Sequence, residues 1–209
     1  MAIQWGWDSL IMANLTLYYG TMETGKTTKL IQDHYNYSKY LLKVILLKPK
    51  VDTKGGDTVI TRIGENIKCD ILIPKSASLL SKKYFNRYKY MQFILVDEAQ
   101  FLTKRQVDEL WFIAHKYNIN VVCYALKSNF KGNLFEGSME LLARSDEKHE
   151  LTVNCSCGKT AMFNARRVNG KYIYSGKEVV IDGAFENIEY IPLCSDCYLE
   201  FVLNGKMPK

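Results

Sequence analysis

The 209 residues suffice for one domain of ordinary size with a small appendage but not for two full domains, and a 47% hydrophobic content supports a sizeable core. The 28 basic residues outnumber the 22 acidic ones, and the formal charge of +6 suits an anionic partner such as nucleotide phosphate or nucleic acid. No apolar run approaches the roughly 18 residues that span a bilayer, and the first 11 residues lack the cationic start, apolar middle and cleavage site of a secretory signal, so a cytosolic protein is expected.

In chain order, residues 1–13, with Trp5 and Trp7, read as an extension outside the fold. Residues 14–150 read as the main domain. It opens on an apolar, aromatic strand from Leu15 to Tyr19, then a glycine-bearing turn and a helix from Lys26 to about Leu41. A second strand runs from Val44 to Leu47 and ends at Pro49, and Asp52 to Gly56 places two glycines among charges, which predicts a mobile loop or lid reaching to Gly64. Phe93 to Val96 forms a third strand. Val107, Leu110, Trp111 and Ala114 recur at helical spacing before a fourth strand from Asn120 to Leu126. Strands alternating with helices predict a parallel sheet covered on both faces. From residue 151 to 204 the texture changes to short β-prone pieces with paired cysteines, read as a small subdomain, and 205–209 as a tail.

Gly20-Thr21-Met22-Glu23-Thr24-Gly25-Lys26-Thr27 matches the phosphate-loop pattern G-x-x-x-x-G-K-[ST], set between a predicted strand and a predicted helix. Its glycines let backbone N–H groups converge on phosphate oxygens. Lys26 supplies a cation to the β- and γ-phosphates, and the Thr27 hydroxyl is suited to magnesium. The apolar strand ending in Asp97-Glu98 delivers two carboxylates to the sheet edge where such folds bind ligands. Asp97 is expected to hold magnesium, directly or through water, and Glu98 to act as general base.

Cys155-x-Cys157 and Cys194-x-x-Cys197 offer four thiolates, which predict a closed structural zinc site. Cys69 and Cys123 read as small core residues, and His34, His115 and His149 show no ligand spacing.

With these motifs in place, the chain from about Leu15 to Phe201 resembles the type II, cytosolic, zinc-containing thymidine kinase family. The likeness lies in the phosphate loop with Met22 inside it, Lys48-Pro49 followed by Asp52, Asp97-Glu98-x-Gln100-Phe101, Ala125-Leu126 followed by Phe130, and Tyr190-x-x-x-Cys194-x-x-Cys197-Tyr198. The resemblance implies an α/β fold with a RecA-like P-loop sheet and a zinc-anchored lasso that closes over a nucleoside. It implies transfer of the ATP γ-phosphate to the 5′-hydroxyl of thymidine, and of deoxyuridine, with Glu98 and Lys26 catalytic. ATP contacts extend from the loop to Thr28 and to Asp97, Glu98, Ala99 and Gln100. Nucleoside contacts fall to Met22, Asp52, Glu98, Phe101, Leu126, Phe130 and Tyr190, with Val180, Ile181, Asp182 and Gly183 meeting the base through backbone groups. A homotetramer, magnesium with ATP, feedback inhibition by thymidine triphosphate, and no nucleic-acid or membrane partner complete what it implies.

Departures from the family pattern are Glu23-Thr24 for Phe-Ser, Lys54 for arginine, Lys127 for aspartate, a tighter first cysteine pair and a longer stretch between Gly183 and Tyr190. Glu23 is expected to point away from ATP. The rival reading is a RecA-like ATPase whose zinc element grips nucleic acid; a zinc-ribbon binding module would leave the phosphate loop unexplained.

Overall fold

The computed structural model describes residues 12–50, 56–61, 64–176 and 188–204. Strands β1 (Leu15–Gly20), β2 (Val44–Pro49), β5 (Ile71–Ile73), β6 (Phe93–Val96), β7 (Asn120–Leu126) and β8 (Glu147–Leu151) form one six-stranded sheet in the order β5-β2-β6-β7-β1-β8, every pairing parallel. Helices α1 (Lys26–Lys39), α2 (Lys82–Tyr88), α3 (Lys104–Tyr117) and α4 (Glu136–Arg144) alternate with them.

Side chains alternate across each strand, and here both faces are apolar. Ile45, Leu47, Ile94, Val96, Val121 and Cys123 turn to one side, where Tyr84 and Tyr88 of α2, Val107, Leu110 and Ile113 of α3 and Leu141 of α4 close over them. Leu46, Leu95, Val122 and Tyr124 turn to the other, against Leu30 of α1. This is the RecA-like P-loop sheet covered on both faces that was expected. Among the described residues no helix is long and apolar enough to cross a membrane.

Several elements lie outside the sequence reading. β3 (Thr58–Ile60) and β4 (Asn66–Lys68) pair as a hairpin within and beyond the stretch expected to be a loop, because Val59 is 1% exposed and joins the α1-side core with Cys69. β8 is missed because its sequence, Glu-Lys-His-Glu-Leu, carries charges along an exposed edge, as edge strands do. α1 ends at Lys39 and caps at Tyr40, while Leu41, at φ +60° and 91% exposed, lies beyond it.

The C-terminal part is a three-stranded antiparallel sheet, order β10-β9-β11, of β9 (Phe163–Val168), β10 (Lys171–Ile173) and β11 (Ile188–Leu193), with α5 (Ser195–Asn204) packed on it. Its core is small: Ala161, Ala165, Leu193, Tyr198 and Phe201 gather around Cys155 and Cys194. Phe163 and Tyr198 stack with ring centroids 4.4 Å apart.

Candidate active site and metal centre

The phosphate loop begins where β1 stops. A Cβ on Gly20 would lie 2.3 Å from the Leu151 carbonyl oxygen at the end of β8, so only glycine lets the loop leave the sheet there. Gly25 adopts φ +77° and caps α1, turning the first helical N–H groups toward the loop's hollow. The Lys26 ammonium donates to the Thr21 carbonyl and, at 3.0 Å, to the Thr24 hydroxyl, which holds it across the loop. Glu23 is exposed, at φ +67°.

β7 alone separates the loop strand from the acidic strand β6. Asp97, just past β6, is 5% exposed and donates its N–H to the Leu47 carbonyl at 3.0 Å. Burial first, and then the adjacent Glu98 carboxylate, push the Asp97 carboxyl up to about 7, against the opposing pull of Lys48, the Glu98 N–H and Lys26. The strand order β6-β7-β1, all parallel, brings the phosphate loop and the acidic residues to the same edge of the sheet.

Glu98 stands in the left-handed region at φ +49°, ψ +37°, uncommon for a residue with a side chain and frequent where a functional group is aimed. The Gln100 amide donates to its Oε2. Gln100 lies in a 3-10 turn, Ala99–Phe101, and its Oε1 accepts the Leu126 N–H at 3.0 Å.

The residues expected on the nucleoside side fall on several elements. Leu126 ends β7 beside Gly20 in register. Phe101 meets Phe135 edge to face at 5.6 Å. Phe130 is 1% exposed, with the Arg166 guanidinium 3.8 Å from its ring centroid and its carbonyl accepting from Tyr198 at 2.8 Å. Tyr190 of β11 pairs with Arg166 of β9. Asp52, Lys54 and the Val180 to Gly183 segment lie outside the described residues.

Three contributors are not among the site residues expected from the sequence. Lys48, 9% exposed, follows Leu47, whose strand partner is Val96, and donates to the Thr58 carbonyl at 3.2 Å, so a buried cation flanks Asp97. Asn164 of β9 accepts the Met22 N–H at 2.7 Å and donates to the Ser128 carbonyl at 3.2 Å, tying the small sheet to the phosphate loop. Gly137 in α4 sits so close to the 3-10 turn that a Cβ would lie 2.5 Å from the Ala99 carbonyl oxygen. Lys48 is marked in the sequence by the Lys48-Pro49 motif and by its place in an apolar strand, whereas an isolated asparagine or glycine offers no such sign.

The sulfur atoms of Cys155, Cys157, Cys194 and Cys197 all lie within 4.8 Å of one another, and Cys157 and Cys194 approach to 3.5 Å. Tetrahedral bonds of about 2.3 Å put sulfurs about 3.8 Å apart, so the cluster fits one metal ion with all four positions filled. Burial opposes ionisation of Cys155, but the backbone N–H groups of Cys157 and Cys194, with thiol donors, outweigh it and bring that thiol down to about 6. One knuckle is a turn closed by Gly158 at φ +87°, and the other runs from β11 into α5. A Lys159–Asp196 ion pair joins them.

Loop, neighbouring acidic strand and parallel sheet together make this a P-loop protein built to hold a nucleoside triphosphate. A family model described as thymidine kinase matches residues 13–198, and the chain belongs to the thymidine kinase family. It is 39% identical to a thymidine kinase of Rhodopirellula baltica (88% of this chain, 86% of that one) and 36% identical to one of Mannheimia succiniciproducens (88% and 93%). Among solved structures it is similar to the Pif1 helicase of Candida albicans at a TM-score of 0.41 and 14% identity, over 66% of this chain and 36% of that one, a likeness too slight to transfer function.

Proposed function

We propose that this enzyme transfers the γ-phosphoryl group of ATP to the 5′-hydroxyl of thymidine, and of deoxyuridine, in nucleotide salvage. Family membership over residues 13–198 carries the reading, and the position of the phosphate loop and the acidic strand end at the same sheet edge, one strand apart, supports it. In this mechanism Glu98 accepts the proton of the attacking hydroxyl as the O–P bond forms, while Lys26 and the loop N–H groups offset charge moving onto the departing diphosphate. In this reading Met22, Leu126, Phe130 and Tyr190 wall the base pocket with Phe101 beside it, and the backbone contacts to the base that the resemblance implies for residues 180–183 belong to a segment outside the described residues.

The hydroxyl of Thr27 and the carboxylate of Asp97 are hard oxygen donors suited to magnesium, which when bound with ATP supplies further charge neutralisation. Four thiolates suit zinc, in a structural role because no coordination position stays open. A homotetramer, inhibition by thymidine triphosphate and a cytosolic location belong to the same reading.

The test is ADP release measured with thymidine, with single-stranded DNA and with neither. Release that depends on thymidine alone supports the kinase, whereas DNA-dependent release would favour the ATPase alternative.

A further inference from the structure

The hydrogen bonds around the 3-10 turn are arranged as a strut. Gln100 is 2% exposed, and both ends of its amide are engaged: Nε2 donates to Glu98 Oε2, and Oε1 accepts the Leu126 N–H at 3.0 Å. Leu126 is the last residue of β7 and the register partner of Gly20, the first residue of the phosphate loop, and the next N–H, of Lys127, reaches the Gly20 carbonyl at 3.0 Å. The Glu98 carboxylate is therefore indexed through one buried side chain to the strand end that also fixes the loop. The turn itself has no slack, because Gly137 of α4 lies against the carbonyls of Ala99, Gln100 and Leu102 with no room for a methyl group. Glu98 also leaves β6 with left-handed backbone, so its side-chain direction depends on what holds it.

The geometry points to Gln100 as a positioning residue for phosphoryl transfer: its amide holds the Glu98 carboxylate at a fixed distance from the phosphate loop, so that base, hydroxyl and γ-phosphate align. The inference rests on the reading of Glu98 as base. Gln100 acts through Glu98: the residue is 2% exposed and its side-chain amide is engaged at both ends within the protein, so the ATP contact that the resemblance implies for Gln100 is not made by that amide. The physical case is that misplacing a reacting group by about 1 Å costs on the order of 100-fold in rate, whereas ground-state binding made by other groups is unaffected.

The experiment is a double-mutant cycle on the full chain, reading kcat and the KM for thymidine and for ATP in wild type, Gln100→Met, Glu98→Gln and the double variant. Gln100→Met keeps length and volume but has no amide. Its kcat is expected to fall about 10- to 100-fold, with both KM values within about threefold. With the base already disabled by Glu98→Gln, adding Gln100→Met is expected to cost less than about twofold more, since residues acting as a unit are not additive. Fully multiplicative losses, a kcat for Gln100→Met within twofold of wild type, or a rise in KM with kcat retained would each overturn the inference. Glu98→Gln retaining wild-type turnover would overturn the base assignment itself, which identifies that failure separately. Should Gln100→Met not fold, Gln100→Glu keeps the acceptor for Leu126 but faces Glu98 with a carboxylate; the same pattern of kcat loss at unchanged KM is expected, and its absence counts against the strut.

Discussion

At the scale of single residues the site is defined by groups held where they would not choose to be. Glu98→Gln preserves shape and removes the ability to accept a proton, so turnover with thymidine should fall about 100- to 10,000-fold while thymidine affinity measured by calorimetry changes little. A fall of less than about threefold would remove Glu98 as base. Asp97 gives the pH dependence. Its folded carboxyl is raised to about 7, by burial first and by Glu98 second, whereas in the unfolded chain it ionises in the usual carboxyl range. Ionising it therefore works against the fold: the penalty is absent below about pH 4, grows as pH rises through the interval and is complete above about pH 7. In protein without nucleotide or magnesium, Asp97→Asn should be more stable than wild type by about 1–4 kcal/mol at pH 8, the gap closing toward pH 4. Denaturant titrations at both pH values measure it, and equal stability at pH 8 would contradict the assigned cost. Gly137→Ala meets backbone carbonyls at 2.5 to 2.9 Å that cannot yield without moving the 3-10 turn. Overpacking of this kind costs about 1–3 kcal/mol, and kcat should drop with it because Glu98 and Gln100 move together; unchanged kcat in a folded variant would separate the turn from catalysis.

Among the elements, α3 illustrates a local sequence agreeing with its place. Thr103 and Gln106 form a reciprocal capping box, and Val107, Leu110, Ile113 and Ala114 are fully buried, while Trp111 at 40% exposure lies on the helix rim. The β3–β4 hairpin is the opposite case. Two three-residue strands are marginal alone, and in this pair Val59 joins the core cluster of Leu46 and Tyr124 with Ile67 packed against it. Amide exchange at Thr58 and Ile60 should therefore be much faster than at Leu95 or Cys123 in the central strands, and equal protection would show the hairpin to be part of the global unfolding unit. The cysteine knuckles do for β9, β10, β11 and α5 what a core does for the main sheet. Loss of one thiolate opens a closed shell, so the zinc proposed for wild type should be absent from Cys194→Ser, measured by mass spectrometry. Fully folded wild-type protein free of zinc would discard that role.

At the scale of the whole molecule the two sheets are joined, among the described residues, by side-chain hydrogen bonds, two of them buried. Asn164 joins Met22 of the phosphate loop to Ser128, and Tyr198 of α5 donates to the Phe130 carbonyl. The small sheet thus touches the phosphate loop directly, besides carrying the cysteine cluster. Asn164→Leu would strand the Met22 N–H and the Ser128 carbonyl without partners, a change worth about 1–3 kcal/mol for a buried group. Reduced stability accompanied by a raised KM for ATP is the expected result, and a stability loss with unaltered kinetics would confine Asn164 to a structural role.

What the sequence determined by itself was the chemistry that repeats locally: a loop whose eight residues carry their own phosphate geometry, an apolar strand ending in Asp97-Glu98, alternation of strand and helix, and cysteines close enough in the chain to share a metal. These are short-range patterns, so a reading along the chain suffices. The tertiary structure decided what depends on separations the chain does not encode nearby. β8 becomes a strand only because the β1 edge is there to receive it. Gly137 reads as a weak helix residue until the Ala99 carbonyl is found against it. Asn164, 142 residues from Met22, acquires its role only when the small sheet docks. In each case the deciding free energy is a buried hydrogen bond or a steric contact between distant segments, which exists only after the sheet has set their distance.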